Sequence, residues 1–185
     1  MPEWLTNPLF IVSANIFIIV FFVIVMAKHY VKVGPNEALV VSGGQRGTRI
    51  LVGGGTFVWP IIEQAATLPL EVLDGEMRIP GIRGGGGAPL DLIATLGVKI
   101  GRDDTTLRAA AGHFLSKPRE EILRIALRVV ETRVRETAAG MAPESIAGNL
   151  DALARDTRAE AAAALGTMGL VMDVFMLRLD RPPAA

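Results

Sequence analysis

The sequence predicts an α+β domain carried on a single apolar helix, and three observations predict it. An uncharged run, Leu9–Ala27, stands near the N-terminus. The next stretch, to about Ile100, is cut by glycine and proline into short apolar segments, the last of which alternates residue by residue. From about Thr105 the apolar spacing turns helical, and one more apolar segment, Leu170–Leu179, closes the pattern. Antiparallel strands, then helices, then a final strand is an α+β order.

Within Leu9–Ala27 only Ser13 and Asn15 are polar. About 19 residues at about 1.5 Å each span roughly 28 Å, close to the roughly 30 Å apolar core of a bilayer. The run is longer than a signal-peptide core and its preceding flank is acidic, so it reads as an uncleaved transmembrane helix. Lys28 and Lys32 follow it and nothing basic precedes it, which predicts an N-terminus outside and a domain in the cytoplasm. Trp4, Lys28, Tyr30 and Lys32 are the expected interface anchors. Asn15 either bonds a neighbouring anchor or is a tolerated polar residue. The chain divides into a short extracytoplasmic N-terminus (1–8), the span (9–27), a domain (28–180) and a tail (181–185).

Gly34-Pro35-Asn36-Glu37 reads as a turn, Ala38–Ser42 as a strand, Gly43–Gly47 as a hairpin connection and Thr48–Val52 as its return. A second glycine turn, Gly53–Gly55, leads into Thr56–Ile62, which Pro60 keeps from being a central strand. Ala66–Leu73 is an edge strand by its Pro69. Asp74-Gly75 is a hairpin signal before Glu76–Ile79, and Gly81–Ala88 is a flexible loop. In Leu90–Ile100 the even positions are apolar while Asp91, Thr95 and Lys99 face the other way, the mark of a strand with one buried face. Helices are expected over Thr105–Leu115, from Pro118 to about Ala138 with Ser116 as cap, and from about Leu150 to Met168. The middle helix carries Ile122, Ile125, Ala126 and Val129 as a core stripe. Pro143–Asn149 is a short helical turn. Gly140 and Gly169 suit helix ends.

Composition narrows the function. Charges balance at 19 basic and 19 acidic, which gives no support for nucleic-acid binding. There is no cysteine, so disulfides, thiolate metal sites and cysteine nucleophiles are excluded. Neither a phosphate loop nor a G-x-G-x-x-G pattern occurs despite 20 glycines, and His29 and His113 have no ligand-spaced partner. Asp103-Asp104 reads as a helix cap, and Ser42 lacks the setting of a hydrolase nucleophile. On residues alone there are no catalytic, cofactor or metal sites.

The stretch Val33-Gly34-Pro35-Asn36-Glu37-Ala38-Leu39-Val40-Val41-Ser42-Gly43, just after an apolar helix, resembles the start of flotillin-type SPFH (band 7) domains. Gly34, Pro35, Asn36, Glu37 and Ala38 carry that signature. The likeness continues through Gly53-Gly54-Gly55-Thr56-Phe57-Val58-Trp59-Pro60, Leu68–Val72, Val98–Ile100, His113–Leu115 with Glu120–Ile122, and Met168–Leu170. It covers about Tyr30 to Asp180. The resemblance implies a non-catalytic membrane scaffold without cofactors, lying against the bilayer and self-associating or joining other SPFH proteins to organise membrane microdomains or membrane proteins, proteases among them. The Ala/Glu-rich coiled coil usual after such domains does not follow in this sequence, so the resemblance also suits an accessory subunit of a larger SPFH assembly or of a membrane protease complex. Arg83-Gly84-Gly85-Gly86-Gly87 is richer in glycine than the corresponding hairpin of relatives. Phe57, Val58, Trp59, Ile61 and Ile62 have two readings: packing into the domain, or a second membrane contact at the headgroups. Gly34 lies too near the span for a free tether.

Overall fold

The computed structural model describes residues 8–43, 47–59, 61–83, 89–141, 146 and 148–180. Its elements are α1 (Pro8–Lys28), β1 (Tyr30–Gly43), β2 (Arg49–Phe57), β3 (Glu63–Pro69), β4 (Leu73–Ile82), β5 (Leu90–Ile100), α2 (Asp104–Phe114), α3 (Arg119–Ala139), α4 (Leu150–Thr167) and β6 (Leu170–Leu179). They form the expected α+β fold. Two antiparallel three-stranded sheets result, ordered β2-β1-β3 and β4-β5-β6.

The second sheet packs its inward face on the helices. Leu92, Ala94, Leu96, Val98 and Ile100 of β5 are fully buried, as their alternation requires. On α3 the buried stripe is Ile122, Ala126, Val130, Val134 and Ala138, an i, i+4 row, with Ile125 and Val129 only at its margin. Leu153, Thr157, Ala161 and Leu165 form the matching row of α4. The opposite face of this sheet carries the charged side chains, with Val171 and Met176 exposed among them. Arg78 reaches Asp91 (2.9 Å) and Asp180 (2.6 Å), and Lys99 reaches Asp173 (2.6 Å). Such exposed pairs contribute about 0–1 kcal/mol each, so this face is held by solvation more than by pairing.

β1 is the centre of the first sheet and is buried on both sides. Ala38 and Val40 join the main core, while Leu39 and Val41 join a second cluster with Val33 and Val58. Pro69 ends the edge strand β3, opposite Glu37, where its missing N–H is harmless.

Five local expectations are corrected. Gly34–Glu37 is not a turn: β1 runs through it, and its pairing with β2 jumps from Val33↔Gly54 to Ala38↔Val52. The segment is a wide bulge, which leaves Pro35 without a ladder bond to break. Gly53–Gly55 is likewise strand rather than turn. Gly53 (φ 70) and Gly54 (φ 84) supply left-handed backbone opposite that bulge. Asp74-Gly75 does not reverse the chain but lies inside β4, paired with Gly97 and Leu96. Gly75 is there because α3 comes close: a Cβ would stand 2.9 Å from Leu123 Cδ2. The segment Ala66–Leu73 is divided between two sheets, β3 ending at Pro69 and β4 starting at Leu73. At the helices, Pro118 holds the N-cap position of α3 without a side-chain bond, and Ser116 turns left-handed (φ 63) instead of capping. Parts of the Gly43–Gly47 connection, the Gly81–Ala88 loop and the Pro143–Asn149 turn lie outside the described residues.

Candidate membrane interface

α1 is 21 residues long, about 31 Å at about 1.5 Å per residue. None of its residues is buried. A helix apolar on every side needs either a protein core around it or lipid, and the domain does not cover this one. Its two polar side chains bond within the helix: Ser13 Oγ donates to the Phe10 carbonyl (3.0 Å) and Asn15 Nδ2 to the Ile11 carbonyl (2.8 Å). That uses one Asn15 N–H locally and favours the tolerated-residue reading.

A single residue, His29, separates α1 from β1. Its N–H donates to the Met26 carbonyl (3.1 Å), and its Nδ1 lies 2.5 Å from the Val25 carbonyl. The His29 carbonyl accepts from Val58 N–H (3.1 Å), which ties the β2–β3 connection to the end of α1. Beside it, Tyr30 meets Phe57 edge-on, ring centres 5.1 Å apart, and lies over Gly55, where any Cβ would overlap the phenol. Lys28 and Lys32 are exposed at this level. Trp4 lies outside the described residues.

The structure divides the Phe57–Ile62 stretch. Val58 alone takes the core-packing reading, 8% exposed in the second cluster. Phe57 is 49%, Trp59 54%, Ile61 94% and Ile62 61% exposed. Of these, Phe57, Trp59 and Ile61 stand beside the base of α1 and line apolar hollows with it. One, of about 200 Å³, lies among Val25, Met26, His29, Phe57, Trp59 and Ile61. The other, of about 470 Å³, includes Phe22, Met26, Tyr30 and Phe57. Exposed apolar side chains gathered at one end of an uncovered helix form a patch of the kind that marks an interaction surface.

Two residues with no local sequence signal hold this connection. Glu63 Oε2 accepts from Trp59 N–H (3.1 Å) and pairs with Arg49 Nη2 (3.1 Å). Arg49 Nη2 also donates to the Phe57 carbonyl (3.0 Å). The Glu63 side chain is 8% exposed. They sit 14 residues apart on different strands, a separation that no helical or strand period singles out.

The signature residues lie elsewhere. Gly34 to Glu37 form the β1 bulge, whose Asn36 carbonyl accepts from Leu70 N–H (2.8 Å), and Ala38 is fully buried. They shape the junction between the two sheets and take no part in the apolar patch. Ser42 is strand backbone opposite Gln64, and His113 packs its ring against Phe114. Among the described residues no three His, Asp or Glu side chains are placed to hold a metal ion. Asp103 caps α2 as expected. Hydrogen bonds from the Thr105 and Thr106 hydroxyls, then from Thr106 N–H, hold its carboxyl far below the usual range.

An uncovered apolar helix joined through one residue to a domain of two antiparallel sheets is the setting in which the comparisons fall. The SPFH domain / Band 7 family description matches residues 31–185. The chain belongs to this family. It is 28% identical to the flotillin-like protein FloT of Bacillus subtilis over 180 residues, 91% of this chain and 35% of that protein. Flotillin-2 of Carassius auratus is 30% identical over 149 residues, 79% of this chain and 35% of the relative. Flotillin-1 of Drosophila melanogaster is 30% identical over 155 residues, 83% of this chain and 36% of the relative. The chain thus spans about a third of the length of these flotillins.

Proposed function

We propose that this SPFH protein is a non-catalytic, flotillin-like membrane scaffold. α1 spans the bilayer with the N-terminus outside, and the domain self-associates on the cytoplasmic side. Family membership and the uncovered apolar helix support membrane association. Lys28 and Lys32, exposed just beyond α1, support the orientation. The observation that carries the reading furthest is the one-residue junction at His29, locked by the Val58–His29 hydrogen bond. A domain fixed this closely to a span is held against the bilayer, where Phe57, Trp59, Ile61 and Ile62 meet the headgroup region, and neighbouring copies meet in a common plane.

Native size in mild detergent tests the scaffold: a large homo-oligomer is expected, and a monomer or dimer sinks the scaffold reading. Trp59→Glu in a protein lacking residues 1–27 tests the second contact. Liposome binding should fall, and unchanged binding would remove the headgroup role.

A further inference from the structure

The exposed apolar side chains between β2 and β3 present a physical difficulty. A loop that enters the headgroup region carries its peptide groups out of bulk water, and an unpaired N–H or C=O there is costly. Here several of those groups are already paired. Val58 N–H donates to the His29 carbonyl, and the Trp59 carbonyl accepts from Ile62 N–H (3.1 Å) and Glu63 N–H (2.7 Å). The Phe57 carbonyl and Trp59 N–H have no backbone partner within the turn, and these two are taken by Arg49 Nη2 and Glu63 Oε2. The ion pair between those same two atoms (3.1 Å) closes the arrangement, with Glu63 almost wholly buried.

We propose that Arg49 and Glu63 are positioning residues for membrane contact. Their part-buried ion pair bonds two of the loop's peptide groups from behind, while the apolar side chains of Phe57, Trp59, Ile61 and Ile62 face lipid. This rests on the reading that the loop meets the bilayer. A surface ion pair would have no such duty. This one bonds the loop's own peptide groups, and charge-assisted bonds of that kind are roughly twice as strong as neutral ones. Removing the carboxylate orphans Trp59 N–H and releases Arg49, so the turn re-forms around water and withdraws Trp59 from the lipid boundary. Glutamine at the same position keeps an acceptor for Trp59 N–H and retains the loop.

The test uses the full chain with Trp4→Phe, so that Trp59 is the sole tryptophan. The protein is placed in phosphatidylcholine vesicles whose acyl chains are brominated near the headgroup end. With Arg49 and Glu63 intact, bromine is expected to quench Trp59. Glu63→Ala should lose the quenching, and Glu63→Gln should keep most of it. Exchanging the two residues, Arg49→Glu with Glu63→Arg, should fail to restore it, because arginine cannot accept from Trp59 N–H. If Glu63→Ala does not fold, Arg49→Met with Glu63→Met removes the pair without leaving a lone buried charge and carries the same expectation. Quenching that persists in a folded variant without the pair overturns the positioning role while the membrane contact stands. An unquenched Trp59 in the parent protein overturns the contact itself, and the positioning role with it.

Discussion

The two sheets have the same strand count and the same antiparallel pairing, yet they dispose of apolar surface differently. β4-β5-β6 covers its inward face with α3 and α4 and turns a charged face to water. Inside this half the buried apolar rows meet one another, such as Leu92 to Ile100 against Ile122 to Ala138. Among the described residues, no helix packs on the far side of β2-β1-β3. There Leu39 and Val41 are closed over by little more than Val33 and Val58, and the loop that brings Val58 leaves its remaining apolar side chains outside. β4-β5-β6 behaves as a core element. β2-β1-β3 is a core element on one side and a platform for an apolar edge on the other.

The largest expected effect measures that contrast directly. Leu96 and Leu39 are both buried leucines on central strands, one facing the helices and one facing the small cluster. Large-to-small changes of this type cost about 2–5 kcal/mol, more where the surroundings cannot collapse. In denaturant unfolding of the detergent-solubilised protein, Leu96→Ala should fall toward the upper end and Leu39→Ala toward the lower. Equal losses would mean that the small cluster is as rigid as the main core.

Next in size is Gly75→Ala. Its Cβ would meet Leu123 at 2.9 Å, so α3 must shift off β4. Overpacking of this kind costs about 1–3 kcal/mol. Pairing the change with Leu123→Ala should recover much of the loss, and no recovery would move the conflict away from the helix–sheet contact.

A smaller effect follows from the helix-capping carboxylate. The Asp103 carboxyl is held below its ordinary value of 3.8 by the Thr105 and Thr106 hydrogen bonds. A depressed carboxylate stabilises the fold above the unfolded pKa, and that contribution is lost as pH falls through the folded one. The thermal midpoint should therefore drop below about pH 4, and Asp103→Asn, which keeps a capping oxygen, should flatten the drop. An identical acid profile in the variant would take α2 out of the acid response.

The smallest expected stability change is at the apolar edge itself. Trp59 is half exposed, so Trp59→Glu should alter unfolding free energy by no more than about 0.5 kcal/mol. A larger loss would show that the edge belongs to the core after all.

What was legible in the sequence followed what is local. Leu90–Ile100 and Leu170–Leu179 are read to the residue, the first because alternation is a property of the strand alone and the second as an apolar run after a helix-ending glycine. The helices are read to within a residue or two, and the α1 span by composition. Glycine was the source of error. Gly53, Gly54 and Gly75 each announce a backbone that a side chain would not permit, but the sequence does not say why. At Gly53 and Gly54 the reason is positive φ opposite a bulge, and at Gly75 it is the nearness of Leu123, twice removed along the chain. The candidate interface was half legible. Apolar composition marked Phe57 to Ile62, whereas which side chain turns inward depends on the register of β1, and the Arg49–Glu63 pair exists only once β2 and β3 are both paired to β1.

The single residue between α1 and β1 also has a rotational consequence. An α-helix turns by about 100° for each residue added, while its length grows by only about 1.5 Å. With no slack at His29 to absorb a twist, the azimuth of every side chain on α1 is geared to the heading of the domain. One alanine inserted in the middle of α1 would leave the span nearly the same length and swing its outer half about a quarter-turn against the domain, whereas seven would bring the two back almost into phase. Anchor and domain therefore share one angular setting, and neighbours that touch both must agree on it.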